Sequence, residues 1–177
     1  MRNKKVAVLT GASSGIGKAL AFELPKEYSI IFLLGRNLVE LEVIKDSLKN
    51  NSNEIFSISL DLESDECIES ATRAILEKTE HIDLLINNAG ILRGDSLSDL
   101  SPNEVIEQFT VNALAPLMVT QALQNNLKAG SKLALITSRM GSIEDNTSGS
   151  TYGYRMSKAA LNAAGVSLAH DLKPKGV

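Results

Sequence analysis

The chain has 177 residues, 44% of them hydrophobic and 22% charged, with a formal net charge of −3; a chain of this length forms one domain that buries roughly 70% of its unfolded surface. Lys and Arg are interspersed with Asp and Glu, so there is no basic footprint for a phosphate backbone, and nucleic acid is not an expected partner. Cys67 is the lone cysteine, which rules out an intrachain disulfide or a thiolate metal cluster and favours a reducing, cytoplasmic setting, and no stretch approaches the ~18 apolar residues of a membrane span.

The basic start Arg2, Lys4, Lys5 leads into Val6 to Leu9. That apolar run breaks at once into Thr10-Gly11, so it reads as a first strand and not as a signal peptide. Further β-rich runs follow at Ile30 to Leu34, Ile55 to Leu60, Leu84 to Ile86 and Leu133 to Ile136. Between them, helices are predicted to begin near Ile16, Leu38, Ser64, Pro102 and Tyr152, with Asn37 and Ser64 as caps and Pro102 in a first turn. The fourth is read as one long helix through Asn112 to Leu127. This alternation predicts an α/β fold of Rossmann type: a doubly wound parallel sheet in three layers, α/β/α, with residues 1–177 as a single domain. The polar stretch Gly141 to Thr151 is the longest irregular segment, of the kind that borders a site on such a scaffold.

Thr10-Gly11-Ala12-Ser13-Ser14-Gly15-Ile16-Gly17 follows the first strand and opens the first helix. Glycines at such a turn let the backbone approach a pyrophosphate, whose charge the helix N-terminus favours. The second strand ends in Leu34-Gly35-Arg36-Asn37. An acid there would bind a ribose 2′-hydroxyl; Gly35 and Arg36 offer space and a positive fork for a 2′-phosphate, which points to NADP(H), with NAD(H) as the second choice. A solvated Arg36 that merely precedes the next helix is the plainer alternative. Asp61 is read either as an acceptor for an adenine amine, with Leu62 supplying its backbone N–H, or as a helix N-terminal acid.

Five elements in order carry a family resemblance: Thr10 to Gly17, Asn87-Asn88-Ala89-Gly90 after the fourth strand, Asn112 within Val-Asn-Ala-Leu, Ser138 within Ile-Thr-Ser-Arg-Met-Gly, and Tyr154-Arg-Met-Ser-Lys158. On these the chain resembles the classical short-chain dehydrogenase/reductase family, and Tyr152 to Asn162 is most similar to its C-factor and Sniffer-like carbonyl reductases. The resemblance implies hydride transfer between NADP(H) and a small-molecule carbonyl or alcohol. Asn112, Ser138, Tyr154 and Lys158 would be the catalytic residues, with Asn112 distorting its helix and holding a water that relays protons to the lysine. Thr10, Gly11, Ser13, Ser14, Gly15, Ile16, Gly17, Arg36, Asp61, Leu62, Asn88, Ala89 and Gly90 would hold the cofactor together with Tyr154 and Lys158. Independently of the resemblance, four residues on a helix put Lys158 on the face of Tyr154, where its ammonium favours the phenolate. Ser138, just past the fifth strand, is placed to donate to a substrate oxygen; Thr137, Ser142 and Tyr152 have similar chemistry, and the resemblance places Thr137 and Tyr152 outside the motif positions.

The resemblance spans Lys5 to Val177, and it implies that the last strands of the family fold are lacking at the C-terminus, leaving the fifth strand as an edge. A truncated, non-catalytic dinucleotide-binding or signalling module is therefore the alternative function. A homodimer or homotetramer is expected through the helices around Val105 to Leu127 and Tyr154 to Leu172, whose small residues include Ala113, Ala115, Ala159, Ala160, Ala163 and Ala164. His81 and His170 lack partners at metal-ligand spacing and are read as surface residues.

Overall fold

In the computed structural model, which describes residues 4–48 and 53–177, the five apolar runs become five parallel strands: β1 (Val6–Thr10), β2 (Ile30–Gly35), β3 (Glu54–Ser59), β4 (Ile82–Asn87) and β5 (Leu127–Leu135). They lie in the order β3-β2-β1-β4-β5. β1 is buried along its whole length, as expected of a central parallel strand covered on both faces. Side chains alternate between two cores. Ala7, Leu9, Ile31 and Leu33 pack with Ala21, Leu41 and Ile44, from helices α1 (Gly15–Glu23) and α2 (Leu38–Leu48). Val6, Val8, Phe32 and Leu34 pack with Ile68, Ile75, Val119 and Leu123, from α3 (Asp65–Leu76) and α5 (Ala115–Leu123). Helix α4 (Pro102–Phe109) precedes α5, and α6 (Tyr152–Leu172) follows β5.

β1 pairs with β2 on one side and β4 on the other, so the direction of winding reverses between β1 and β4. A crevice opens there at the carboxyl ends of the strands, where sheets of this type bind ligands.

The caps act as predicted: Asn37 Oδ1 accepts from the Glu40 amide at 3.1 Å and Ser64 Oγ from the Cys67 amide at 3.2 Å. Two boundaries differ. The fourth helical segment is not one helix to Leu127; it is α4, a π-helical turn over Thr110–Leu114, then α5, which ends at Leu123. The intended end of that helix, Leu127, starts β5 and pairs with Ile82. β5 thus begins six residues before the predicted Leu133. Its apolar pattern is hidden by Lys128, Gly130, Ser131 and Lys132, and the pairing with β4 shifts register between Ile82 and Leu84. Ala113 and Ala115 are buried in the core and unavailable as outward-facing small residues. His81 is half-buried against Asp83, 3.0 Å away, whereas His170 is exposed.

Candidate functional site

The turns after β1 and β4 are stapled together. Thr10, 1% exposed, accepts at Oγ1 from the amides of Asn88 (3.1 Å) and Ala89 (3.2 Å), and Asn88 Nδ2 donates back to the carbonyls of Thr10 (3.0 Å) and Gly11 (3.2 Å). Such a close approach needs glycine. Gly11 has φ +68°, and a Cβ on it would lie 2.7 Å from Ala89 Cα; a Cβ on Gly17 would lie 2.0 Å from the Gly11 carbonyl oxygen. Thr10 is therefore a brace beneath the crevice, and it does not line it.

Helix α1 starts differently from α2, α3 and α4. Ser14 precedes it in extended conformation without a side-chain cap, and its first turn holds no acid. Its first N–H groups and the positive end of its dipole face the crevice, an arrangement that favours an anion.

The crevice holds about 580 Å³, within the usual range of ligand pockets. Of the residues expected to hold a dinucleotide, Gly11, Ser13, Ser14, Gly15, Ile16, Gly17, Arg36, Asp61, Leu62, Asn88, Ala89, Gly90, Tyr154 and Lys158 all line it. Gly35, Asn37, Leu60, Glu63, Ile91, Leu92, Val111, Ile136 and Thr137 line it too; apart from Gly35 the sequence marks none of these as a site residue, because a lining position set by tertiary packing leaves no local pattern. Arg36 is largely exposed at one end, with its guanidinium 3.8 Å from Glu63. Asp61 precedes α3 by several residues and accepts from the Glu63 amide at 3.0 Å, so the first-turn acids of that helix are Asp65 and Glu66 instead.

At the other end, Lys158 is only 4% exposed. Its ammonium donates to the Ile136 carbonyl at 2.9 Å and lies 5.8 Å from the centre of the Tyr154 ring, a cation–π distance. Burial holds the Lys158 pKa below the usual lysine range. Asn112, fully buried in the π-helical turn, exchanges two 2.8 Å bonds with the backbone N–H and C=O of Ile91 and donates to Ser157 Oγ at 3.0 Å. A wider helical turn at this point is a common accommodation at functional sites; here it lets the amide reach the strand of chain leaving β4. Ser157 Oγ donates in turn to the Tyr154 carbonyl at 2.8 Å.

Ser138 caps a short 3₁₀ turn, its Oγ accepting from the Met140 amide at 3.1 Å. It flanks the crevice without lining it, whereas its neighbour Thr137 lines it and donates to Asn162 Oδ1 at 2.7 Å.

A family profile described as short chain dehydrogenase matches residues 5–177. The chain belongs to the short-chain dehydrogenase family. Among curated relatives, it is 37% identical over 118 residues to 1-hydroxy-2-glutathionyl-2-methyl-3-butene dehydrogenase of Rhodococcus sp. (strain AD45), an alignment covering 67% of this chain and 52% of the relative. It is 48% identical over 101 residues to the C-signal protein of Myxococcus xanthus, covering 55% and 61%. The chain thus spans between half and two thirds of the length of these two family members. Among solved structures, the carbonyl reductase Sniffer of D. melanogaster superposes with a TM-score of 0.87 at 29% identity, over 99% of this chain and 78% of that one. The NADPH-bound carbonyl reductase from chicken fatty liver superposes with a TM-score of 0.87 at 27% identity, over 98% and 76%. Family membership accounts for the parallel sheet and the glycine turn together, as an isolated glycine-rich loop would not. No helix among the described residues is long and apolar enough to cross a membrane.

Proposed function

We propose that the chain is an NADP(H)-dependent oxidoreductase that reduces a small-molecule carbonyl to an alcohol, or runs the reverse reaction, with Tyr154 as acid/base. One observation carries this: a single crevice runs from the glycine turn and uncapped α1 to Tyr154 and Lys158. Its chemistry fits a dinucleotide, with donors and a helix N-terminus for the pyrophosphate, Arg36 for a 2′-phosphate and Asp61 beside the adenosine end. The NADPH-bound carbonyl reductase of the same fold supports that choice, with NAD(H) as the weaker ligand.

When bound, the nicotinamide supplies or accepts a hydride. Tyr154 donates its hydroxyl proton to the developing alkoxide in reduction and accepts one in oxidation. Lys158, protonated and buried beside the ring, favours the phenolate that results. Ser138 spends a lone pair on the Met140 amide, which leaves its proton free to donate to the substrate oxygen. Asn112 holds the relay toward Lys158: a Cβ on Gly90 would lie 3.1 Å from Asn112 Oδ1 and 3.4 Å from Lys158 Nζ, so the missing side chain keeps the space between them open. A cytoplasmic setting is part of the proposal, and a single cysteine is in keeping with a reducing compartment.

Arg36→Ala is expected to weaken NADP(H) binding at least tenfold, about 1.4 kcal/mol, while leaving NAD(H) binding within about twofold, since it removes one charge-assisted contact. Fluorescence titration of both reduced dinucleotides checks this; equal losses for the two would show that Arg36 does not read the 2′-phosphate.

The assembly is proposed to be a homodimer or homotetramer. Ile106, Phe109, Leu114 and Leu117 stand exposed on α4, the π-helical turn and α5, and apolar groups this dense on adjoining turns favour association. Sedimentation at micromolar concentration should show two or four copies; a monomer there, or a dimer unaffected by Phe109→Glu, contradicts the assignment.

A further inference from the structure

After β4 the chain runs as a strap from the crevice floor to the start of α6, and every second residue of it is gripped. Ile91 is bonded twice by Asn112. The Arg93 amide donates to Gln108 Oε1 at 2.8 Å, and its guanidinium pairs with Glu107 at 2.9 Å. Asp95 ends the strap. Its two carboxylate oxygens accept from the amides of Tyr152 and of Gly153, the latter at 3.0 Å, and its carbonyl accepts from the Thr151 amide at 2.9 Å. One acidic residue thus holds three consecutive amides immediately before Tyr154.

These amides belong to a segment that needs holding. Ser150 and Thr151 both have φ +53°, a left-handed conformation that residues with a Cβ adopt only when their surroundings impose it. Thr151 provides no side-chain cap to α6, whose first turn contains no acid of its own. The Asp95 carboxylate therefore supplies from a distant segment both the acceptors and the negative charge that a helix N-terminus favours. Gly153 lets the segments meet: a Cβ there would lie 2.5 Å from Gln108 Nε2 and 3.3 Å from Asp95 Oδ2. Asp95 does not line the crevice, so its influence passes through the helix.

We infer that Asp95 is a positioning residue that fixes the left-handed start of α6 and thereby aims Tyr154 into the crevice. The inference rests on the proposed role of Tyr154. Its test measures kcat, KM and NADPH affinity with the aromatic diketone benzil as carbonyl probe, for the full chain and for Asp95→Ala, Asp95→Asn and Asp95→Ala combined with Thr151→Gly. Asp95→Ala is expected to lower kcat ten- to hundredfold while NADPH affinity stays within twofold, because the phosphate cradle and Arg36 are anchored elsewhere. Asp95→Asn keeps one side-chain acceptor but loses the other and the charge, and should recover part of the loss. Thr151→Gly accepts the left-handed conformation without restraint, so the double variant should exceed Asp95→Ala in kcat. Unchanged kcat in Asp95→Ala overturns the inference, as do parallel losses of kcat and affinity that neither Asn nor Thr151→Gly restores. If Tyr154→Phe retains full activity, the role of Tyr154 fails instead, a result recognisable by its independence of Asp95.

Discussion

Tyr154→Phe is expected to reduce turnover by about a hundredfold or more, roughly 2.7 kcal/mol in activation free energy, while NADPH affinity and thermal stability stay near those of the parent chain. In the proposed reaction the hydroxyl exchanges a proton with the substrate oxygen; the half-buried ring is otherwise retained, so the change in folding stability should stay within about 1 kcal/mol. Tyr152→Phe is the control: Tyr152 lies on the same first turn of α6 but is outside the crevice, and its loss should leave turnover within about twofold. Steady-state kinetics on the two variants separate the readings. Activity lost in Tyr152→Phe and kept in Tyr154→Phe would assign the proton donor to the wrong tyrosine.

Lys158→Met should fail in a different way. Turnover is expected to fall by about two orders of magnitude because the cation that favours the Tyr154 phenolate is gone, and NADPH binding should weaken less than turnover does. Stability should rise at neutral pH. Lys158 is buried with a backbone carbonyl as its hydrogen-bond partner, and burial lowers its pKa in the folded chain. A cation whose folded pKa lies below its unfolded one destabilises the fold fully at pH below the folded value. That penalty is relieved as pH rises from the folded pKa to the unfolded one, about 10.4. The stabilisation by Lys158→Met should therefore be largest near neutrality and shrink in alkali, as thermal melts across pH can show. The same shift predicts that any carbonyl-reducing activity of the parent chain falls on the alkaline side before an ordinary lysine would deprotonate. A melting difference that is constant with pH would mean that Lys158 has the same pKa folded and unfolded, so that its burial imposes no charge penalty.

Much of this site was legible before the fold was known, for identifiable reasons. β1 and β2 are covered on both faces and so appear as unbroken apolar runs, and the glycine turn sits directly behind β1, where Gly11 and Gly17 admit no side chain. Helix starts at Asn37 and Ser64 were readable because a cap is a local bond between residues three apart. What escaped depends on distant partners. β5 takes its first pairing from Ile82 through an irregular register, so the polar stretch Lys128 to Lys132 gives no sign of a strand. The break of the fourth helix at Asn112 was expected only from family resemblance, since its cause is a pair of bonds to Ile91, 21 residues away. Thr10 reads as a cofactor contact because it opens the glycine motif, whereas its hydroxyl oxygen accepts from the Asn88 and Ala89 amides beneath the crevice. Asp95, in a polar loop without a motif, could not be distinguished from any surface acid until the start of α6 was seen to lie against it.

The proposed reaction transfers hydride between a nicotinamide and a carbonyl carbon within this crevice. The most direct measurement follows the label: NADPH deuterated at nicotinamide C4, on one face or the other, is incubated with the chain and with aldehyde, ketone and diketone probes, and the products are analysed by mass spectrometry and proton NMR. One deuterium is expected on the carbinol carbon from one of the two labelled faces only, at a rate that collapses in Tyr154→Phe. Tight NADPH binding with no deuterium in any alcohol product would contradict it and leave the chain a dinucleotide-binding module.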